Sequence, residues 1–138
     1  MKKTDFIINS NYKEVDRACL NFRNFCISEI KEQKICDAFE ICLTESLNNI
    51  IKHGYKEIDG NEIKVSVVID EETVEVALID SGKSRTNFDK PKLEFDPADL
   101  DSVPESGMGL YIIDQLMDET SYKTEDGVNI FTLKKKLT

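Results

Sequence analysis

Glu45, Asn49 and His53 lie four residues apart within Thr44-Glu45-Ser46-Leu47-Asn48-Asn49-Ile50-Ile51-Lys52-His53-Gly54-Tyr55. On a helix this spacing stacks a carboxylate, an amide and an imidazole along one edge. The amide oxygen is a hard ligand suited to Mg2+, and the carboxylate can orient or deprotonate a nucleophile. The apolar residues Ile35, Phe39, Cys42, Leu43, Leu47, Ile50 and Ile51 share one broad face of the same helix. A polar stripe beside a buried face is also what any solvent-facing helix edge offers. The stretch gains its meaning from two later motifs.

The first is Val76-Ala77-Leu78-Ile79-Asp80-Ser81-Gly82, a hydrophobic strand ending in Asp-x-Gly. A carboxylate at a buried strand end can accept a hydrogen bond from an exocyclic amine such as that of adenine, and Gly82 lets the backbone turn and come close to a ring. The second is Ser106-Gly107-Met108-Gly109-Leu110, which puts two glycines at a helix start. Exposed backbone N–H groups and the helix dipole make such a start an anion site. It is neither the dinucleotide fingerprint nor the Walker pattern. Taken singly, the one is common turn chemistry and the other an ordinary hinge.

The elements that must position these residues follow from periodicity. Phe6-Ile7-Ile8 reads as a short edge strand, and Asn9-Ser10-Asn11 offers an N-cap to a helix over residues 11–31. The motif helix follows over 35–54, with Gly54 as its stop. Alternation in Ile63, Val65, Val67 and then Val74, Val76, Leu78 predicts a hairpin of strands 62–69 and 73–80. Residues 81–106 hold all three prolines, many charges and few periodic apolar residues, the character of a functional loop such as a lid. A third helix opens at Gly107, and strands 119–124 and 128–136 close the chain around the Asp126-Gly127 turn. The expectation is one α+β domain over 1–138, helices packed on a mostly antiparallel sheet.

Composition bounds the function. The chain has 138 residues, 40% hydrophobic and 33% charged, as expected of a soluble globular domain large enough for a real core. A formal net charge of -9 argues against nucleic acid, whose phosphates require clustered Lys and Arg. No apolar run approaches the ~20 residues of a membrane span, and Met1-Lys2-Lys3-Thr4-Asp5 leads into no signal-peptide h-region, so a cytoplasmic protein is expected. Cys19, Cys26, Cys36 and Cys42 form no C-x-x-C pair, and one histidine leaves no zinc pattern; buried free thiols are expected.

In order and spacing, the acidic-amide helix, the Asp-x-Gly after a hairpin strand, the loop and the Gly-x-Gly before a helix resemble the GHKL, or Bergerat-fold, ATPases. Within that superfamily the motif helix and Ser106-Gly-Met-Gly-Leu-Tyr-Ile-Ile-Asp-Gln-Leu-Met-Asp-Glu119 are most similar to the small bacterial anti-sigma factors with serine-protein kinase activity. The resemblance spans residues 6 to 136. It implies a two-layer α/β sandwich of the histidine-kinase ATPase type, three helices over a mixed, mostly antiparallel sheet, with an ATP lid at about 83–106. ATP and Mg2+ are the implied cofactors. Asn49 would hold the metal, Glu45 would act as general base, and Asp80 would take the adenine amine with Gly82 beside it. Gly107, Met108, Gly109 and Leu110 would cradle phosphate, His53 would support the pocket edge, and Asn129 would stand where relatives place a hydroxyl near adenine. The implied partners are an anti-anti-sigma (STAS-type) protein phosphorylated on serine, a sigma factor and a second copy of the chain, in transcription regulation. Glu105 stands where relatives carry a basic residue near the γ-phosphate, and the lid has one arginine, Arg85. That departure keeps open a second reading, a non-catalytic ATP/ADP-binding interaction module.

Overall fold

The computed structural model describes residues 1–84 and 108–137. The period-two alternation of the strand sequences decides which side chains face inward. In β2 (Glu62–Ile69) these are Ile63, Val65, Val67 and Ile69, and in β3 (Thr73–Asp80) they are Val74, Val76, Leu78 and, last in the series, Asp80. In β5 (Val128–Lys136) the inward row is Asn129, Phe131 and Leu133. The inward row of β3 therefore ends in the polar Asp80, and that of β5 begins with the polar Asn129.

With β1 (Lys2–Asn9) and β4 (Glu119–Glu125) the sheet has five strands in the order β1-β2-β3-β5-β4. Every pairing is antiparallel, so the mixed character implied by the resemblance is absent among the described residues. The expected hairpin at 62–69 and 73–80 is borne out to the residue. β1 is longer than its apolar Phe6-Ile7-Ile8 suggested. It pairs from Lys2 opposite Ile69 to Asn9 opposite Glu62, and these backbone bonds recruit polar residues that propensity alone would leave out.

Three helices cover one face of the sheet. Asn11 caps α1 (Tyr12–Glu29) by accepting from Lys13 N at 2.9 Å. α1 packs on α2 (Gln33–Asn49), with the Phe22 and Phe39 rings 5.6 Å apart at the centre of the core. α3 (Met108–Leu116) lies against α2 and buries Ile113. All four cysteines are free and buried, as expected, and burial pushes the Cys42 thiol up to about 12. No helix of the described residues is long and apolar enough to cross a membrane.

The motif helix departs from expectation at its end. It is α-helical to Asn49 and then widens into a π-helical turn, Ile50–Gly54, in which Tyr55 N donates to Ile50 O at 3.0 Å. Lys56 and Glu57 follow with φ of 55° and 63°, a left-handed pair of non-glycine residues of the kind that concentrates at functional sites. Tertiary bonds hold this geometry. The Tyr55 hydroxyl donates to Glu62 O at 2.9 Å and accepts from Ser81 N at 2.8 Å, tying the turn to β2 and to the end of β3. The β4–β5 hairpin closes through Asp126 (φ 53°) and Gly127 (φ 78°), the expected two-residue turn.

Candidate functional site

Three neighbouring strands set a polar row on the covered face of the sheet. Asp80 of β3 and Thr124 of β4 are both register partners of Asn129 in β5, which lies between them. Asn129 Nδ2 donates to Asp80 Oδ1 and to Gly82 O, each at 2.9 Å. Asn129 Oδ1 accepts from Thr124 Oγ1 at 2.8 Å, and Gly82 N donates to Asp80 Oδ1 at 2.9 Å. Both amide hydrogens of Asn129 are thus committed, and Asp80 Oδ1 takes two donors. Asp80 Oδ2 has no hydrogen-bond partner among the described residues. Asp80 is 7% exposed and Asn129 1%. Burial pushes the Asp80 carboxyl above its ordinary value of 3.8, against the pull of the Asn129 and Gly82 donors.

The π turn lies directly on this strand end. A Cβ on Gly82 would stand 2.7 Å from both C and O of Gly54, so the missing side chain at 82 serves the approach of Gly54's backbone. Lys83 N donates to Gly54 O at 2.9 Å and fixes the same contact. Between the turn and the strand row opens a narrow cavity lined by Ser46, Asn49, Ile50, Gly54, Asp80, Lys83, Leu110, Tyr122 and Phe131. Its walls are apolar apart from a few convergent polar groups, the usual make-up of a small-molecule site. Ser46 is 2% exposed, and its Oγ has no hydrogen-bond partner. A buried hydroxyl left unpaired costs about 1–3 kcal/mol, so a cavity-lining one marks a place where a ligand can repay it.

The start of α3 meets the motif helix at the other side of Asn49. A Cβ on Gly109 would fall 2.8 Å from Glu45 Oε2 and 3.6 Å from Asn49 Nδ2. Glu45 itself lines an open groove with Arg23, Asp37, Glu40, Ile41 and Thr44. There Arg23 bonds Asp37 at 3.0 Å and also Glu40, bridging α1 to α2.

Of the residues singled out in the sequence, Asn49, Asp80 and Leu110 line the cavity, Gly82 and Asn129 brace Asp80 from behind, and Gly109 abuts Glu45. His53 sits on the π turn, outside the cavity lining, because the widened turn breaks the four-residue register of the stripe. Met108 opens α3. Gly107, Arg85, Glu105 and most of the expected lid fall outside the described residues.

Sequence reasoning passed over Ser46, Lys83, Thr124 and the bridging role of Tyr55. Ser46 left a signal, since it interrupts an apolar stripe running from Cys42 and Leu43 to Leu47 and Ile50. Thr124 could have been found by counting back from the Asp126-Gly127 turn to the residue opposite Asn129. Nothing in the chain marks Tyr55 as a strut, because its partners are backbone atoms of distant strands. Among the described residues no three His, Cys, Asp or Glu side chains gather to hold a metal ion by themselves.

Comparison with known proteins bears on the family and the fold. The family model described as histidine kinase-like ATPase domain matches residues 8–135. A serine-protein kinase RsbW of Bacillus mycoides (strain KBAB4) is 30% identical over 118 residues, covering 83% of this chain and 69% of that protein. One of Bacillus thuringiensis subsp. konkukian (strain 97-27) is equally similar. The crystal structure of the RsbU and RsbW domains of a Mycobacterium tuberculosis protein superposes with a TM-score of 0.68 at 13% identity, over 98% of this chain and 32% of that longer one. The histidine kinase AdeS of Acinetobacter baumannii superposes with a TM-score of 0.54 at 16% identity, over 100% of this chain and 70% of that chain. The same two-layer fold is present in each. With nearly its whole length matched, an antiparallel sheet covered on one face by helices, and Asp80 and Asn49 opening onto one cavity, the chain belongs to the histidine kinase-like ATPase domain family.

Proposed function

We propose that this chain binds ATP in the cavity between α2, the π turn and the β3–β5 strand end, and transfers its γ-phosphoryl group to a serine of an anti-anti-sigma protein. We further infer that it holds a sigma factor when that antagonist is phosphorylated, as a cytoplasmic dimer in a partner-switching pathway. The observation that carries the nucleotide reading is the buried Asp80 carboxylate, braced through Oδ1 by Asn129 and Gly82, in a cavity shared with Asn49. The names of the Bacillus relatives, serine-protein kinases at 30% identity, support the choice of reaction.

In this reading Asp80 Oδ2 accepts the exocyclic amine of adenine, while Asn129 and Gly82 hold the carboxylate in place. Asn49 would offer its amide oxygen to Mg2+, a hard cation that is commonly held by few protein ligands at phosphate sites. Bound there, Mg2+ would neutralise charge on the transferring phosphates. Glu45 takes the proton of the attacking serine hydroxyl as its oxygen bonds to the γ-phosphorus and the bond to ADP breaks. Met108, Gly109 and Leu110 would offer backbone N–H groups at the start of α3 to the phosphates, and Gly107, which precedes them in sequence, would share that role. His53 supports the pocket edge, and residues 83–106 act as the lid.

A second reading keeps nucleotide binding without chemistry. Among the described residues lining the cavity, Lys83 is the one cation, in a chain of net charge -9. Little positive charge is then at hand for the transition state. ATP or ADP would in that case set the affinity for a protein partner.

One experiment separates the two. Purified protein is incubated with Mg-ATP and the antagonist, and phosphoserine is followed for wild type and Glu45→Gln. Transfer by wild type, abolished in Glu45→Gln while ADP binding persists, supports the kinase. Absence of transfer by a wild type that binds ADP favours the regulatory module.

A further inference from the structure

Ser46 is set apart from the other covered serine and threonine hydroxyls for which the described residues show a partner. Ser10, 1% exposed, donates to Ile58 O at 2.6 Å and accepts from Asn61 N at 3.1 Å. Thr44, two residues before Ser46 on α2, donates back to Glu40 O at 2.9 Å, the usual resort of a helical hydroxyl. Ser46 makes no such bond. Among the described residues its Oγ is the one buried side-chain nitrogen or oxygen without a hydrogen-bond partner. Its neighbours on the same helix face, Cys42, Leu43 and Leu47, are apolar and almost wholly buried, so the position would pack equally well as alanine.

The donors on the opposite wall are already committed. Gly82 N is held by Asp80 Oδ1, Ser81 N by the Tyr55 hydroxyl, Lys83 N by Gly54 O, and both hydrogens of Asn129 Nδ2 by Asp80 Oδ1 and Gly82 O. Beside the Lys83 ammonium and the Asn49 amide, the cavity lining offers the Asp80 carboxylate as an acceptor and Ser46 Oγ, which has no partner, as a hydroxyl donor. An adenine edge presents the complement, an amine donor flanked by a ring-nitrogen acceptor, whereas guanine places a carbonyl where the amine would be.

We propose that Ser46 is a base-recognition residue whose hydroxyl donates, directly or through one water, to the purine ring nitrogen beside the amine that Asp80 accepts. With Asp80 it reads a donor–acceptor pair and sharpens the preference for adenine over guanine nucleotides. The proposal rests on the nucleotide-binding reading above and adds a residue and a base edge to it.

The test is calorimetric titration of wild type and Ser46→Ala with ADP, 1-deaza-ADP, 7-deaza-ADP and GDP. Ser46→Ala should melt no lower than wild type, because an unpaired hydroxyl leaves an apolar wall. Its ADP affinity should fall by roughly tenfold, the scale of one neutral hydrogen bond. One of the two deaza analogues should bind wild type about tenfold more weakly than ADP yet bind Ser46→Ala as ADP does, which identifies the nitrogen. The ADP-to-GDP preference should narrow in the variant. Equal ADP affinity in the two proteins, or wild type binding both deaza analogues as tightly as ADP, overturns the assignment. The second result needs no variant. Failure of wild type to bind ADP at all would overturn the nucleotide reading itself, and is a distinct outcome.

Discussion

Asn129 Nδ2 reaches Asp80 Oδ1 at 2.9 Å across the β3–β5 pair, and the same carboxylate lines the cavity, with no hydrogen bond to its second oxygen among the described residues. The two oxygens of one side chain are thereby assigned different tasks. An amide at position 80 can still accept from Gly82 N and Asn129 while turning the second oxygen into a donor. Asp80→Asn is expected to fold, and to lose ADP affinity by about 100-fold by calorimetry, since a charge-assisted bond is replaced by two facing donors. The pH dependence follows from the raised carboxyl. Between the ordinary value of 3.8 and the raised folded value, the native state binds more protons than the unfolded chain. This group's contribution to stability therefore falls as pH rises through that window, and urea titrations should show the fall removed in Asp80→Asn. Nucleotide affinity runs the other way and should drop as pH is lowered through the raised value.

Gly82 and Gly109 should respond oppositely to alanine. At 82 the new methyl would meet Gly54 backbone at 2.7 Å, and neither side can yield without moving the π turn or the strand end. A loss of about 1–3 kcal/mol is expected by denaturant titration. At 109 the obstacle is the tip of Glu45, 2.8 Å from the added carbon. That side chain can swing aside, so Gly109→Ala should be as stable as wild type, or up to about 1 kcal/mol more so, because alanine favours helix. Phosphotransfer should nonetheless fall by roughly 10–100-fold with ADP binding retained, since the proposed base is displaced.

Tyr55→Phe removes one oxygen and orphans two backbone groups, Ser81 N and Glu62 O. The expected cost is about 1–3 kcal/mol, seen as a melting temperature several degrees lower. Much of that deficit should persist when ADP is saturating, because both wild type and variant gain the same ligand stabilisation if the cavity re-forms.

The thiols should be silent in the native protein. Cys42 is pushed up to about 12 by burial, and Cys19 and Cys26 are raised by the same cause. A disulfide reagent at pH 8 should label none of the four cysteines rapidly before unfolding and all of them in denaturant.

Most of the layer architecture was legible because alternation and helical periodicity are strong in this chain. The β2–β3 hairpin was recovered at residue level from Val65, Val67, Val74 and Val76. That every pairing among the described residues is antiparallel was not, since sequence does not say which neighbour a strand chooses. Asp80 and Asn49 were singled out by residue type and by the order of the motifs, and the structure places both on the lining of one cavity. The π turn could not be singled out, for its stabilising bonds come from Glu62 and Ser81, outside the helix that it ends. Ser46 was overlooked for the opposite reason. A lone serine in an apolar stripe looks like a small filler until its missing partner is seen.

The row Asp80–Asn129–Thr124 also limits how this gene can change length. One codon added within β3 or β5 would turn every later side chain of that strand to the other face, sending the polar residue outward or drawing Lys134 or Glu75 inward. Two added codons restore the face but slide the partners by nearly 7 Å, so Asn129 would meet neither Asp80 nor Thr124. Enlarging the Asp126-Gly127 turn would spare the Asp80 bond and strip Asn129 of Thr124 alone. Insertions and deletions in descendants of this sequence should therefore avoid these strands, and substitutions will be the route by which this cavity evolves.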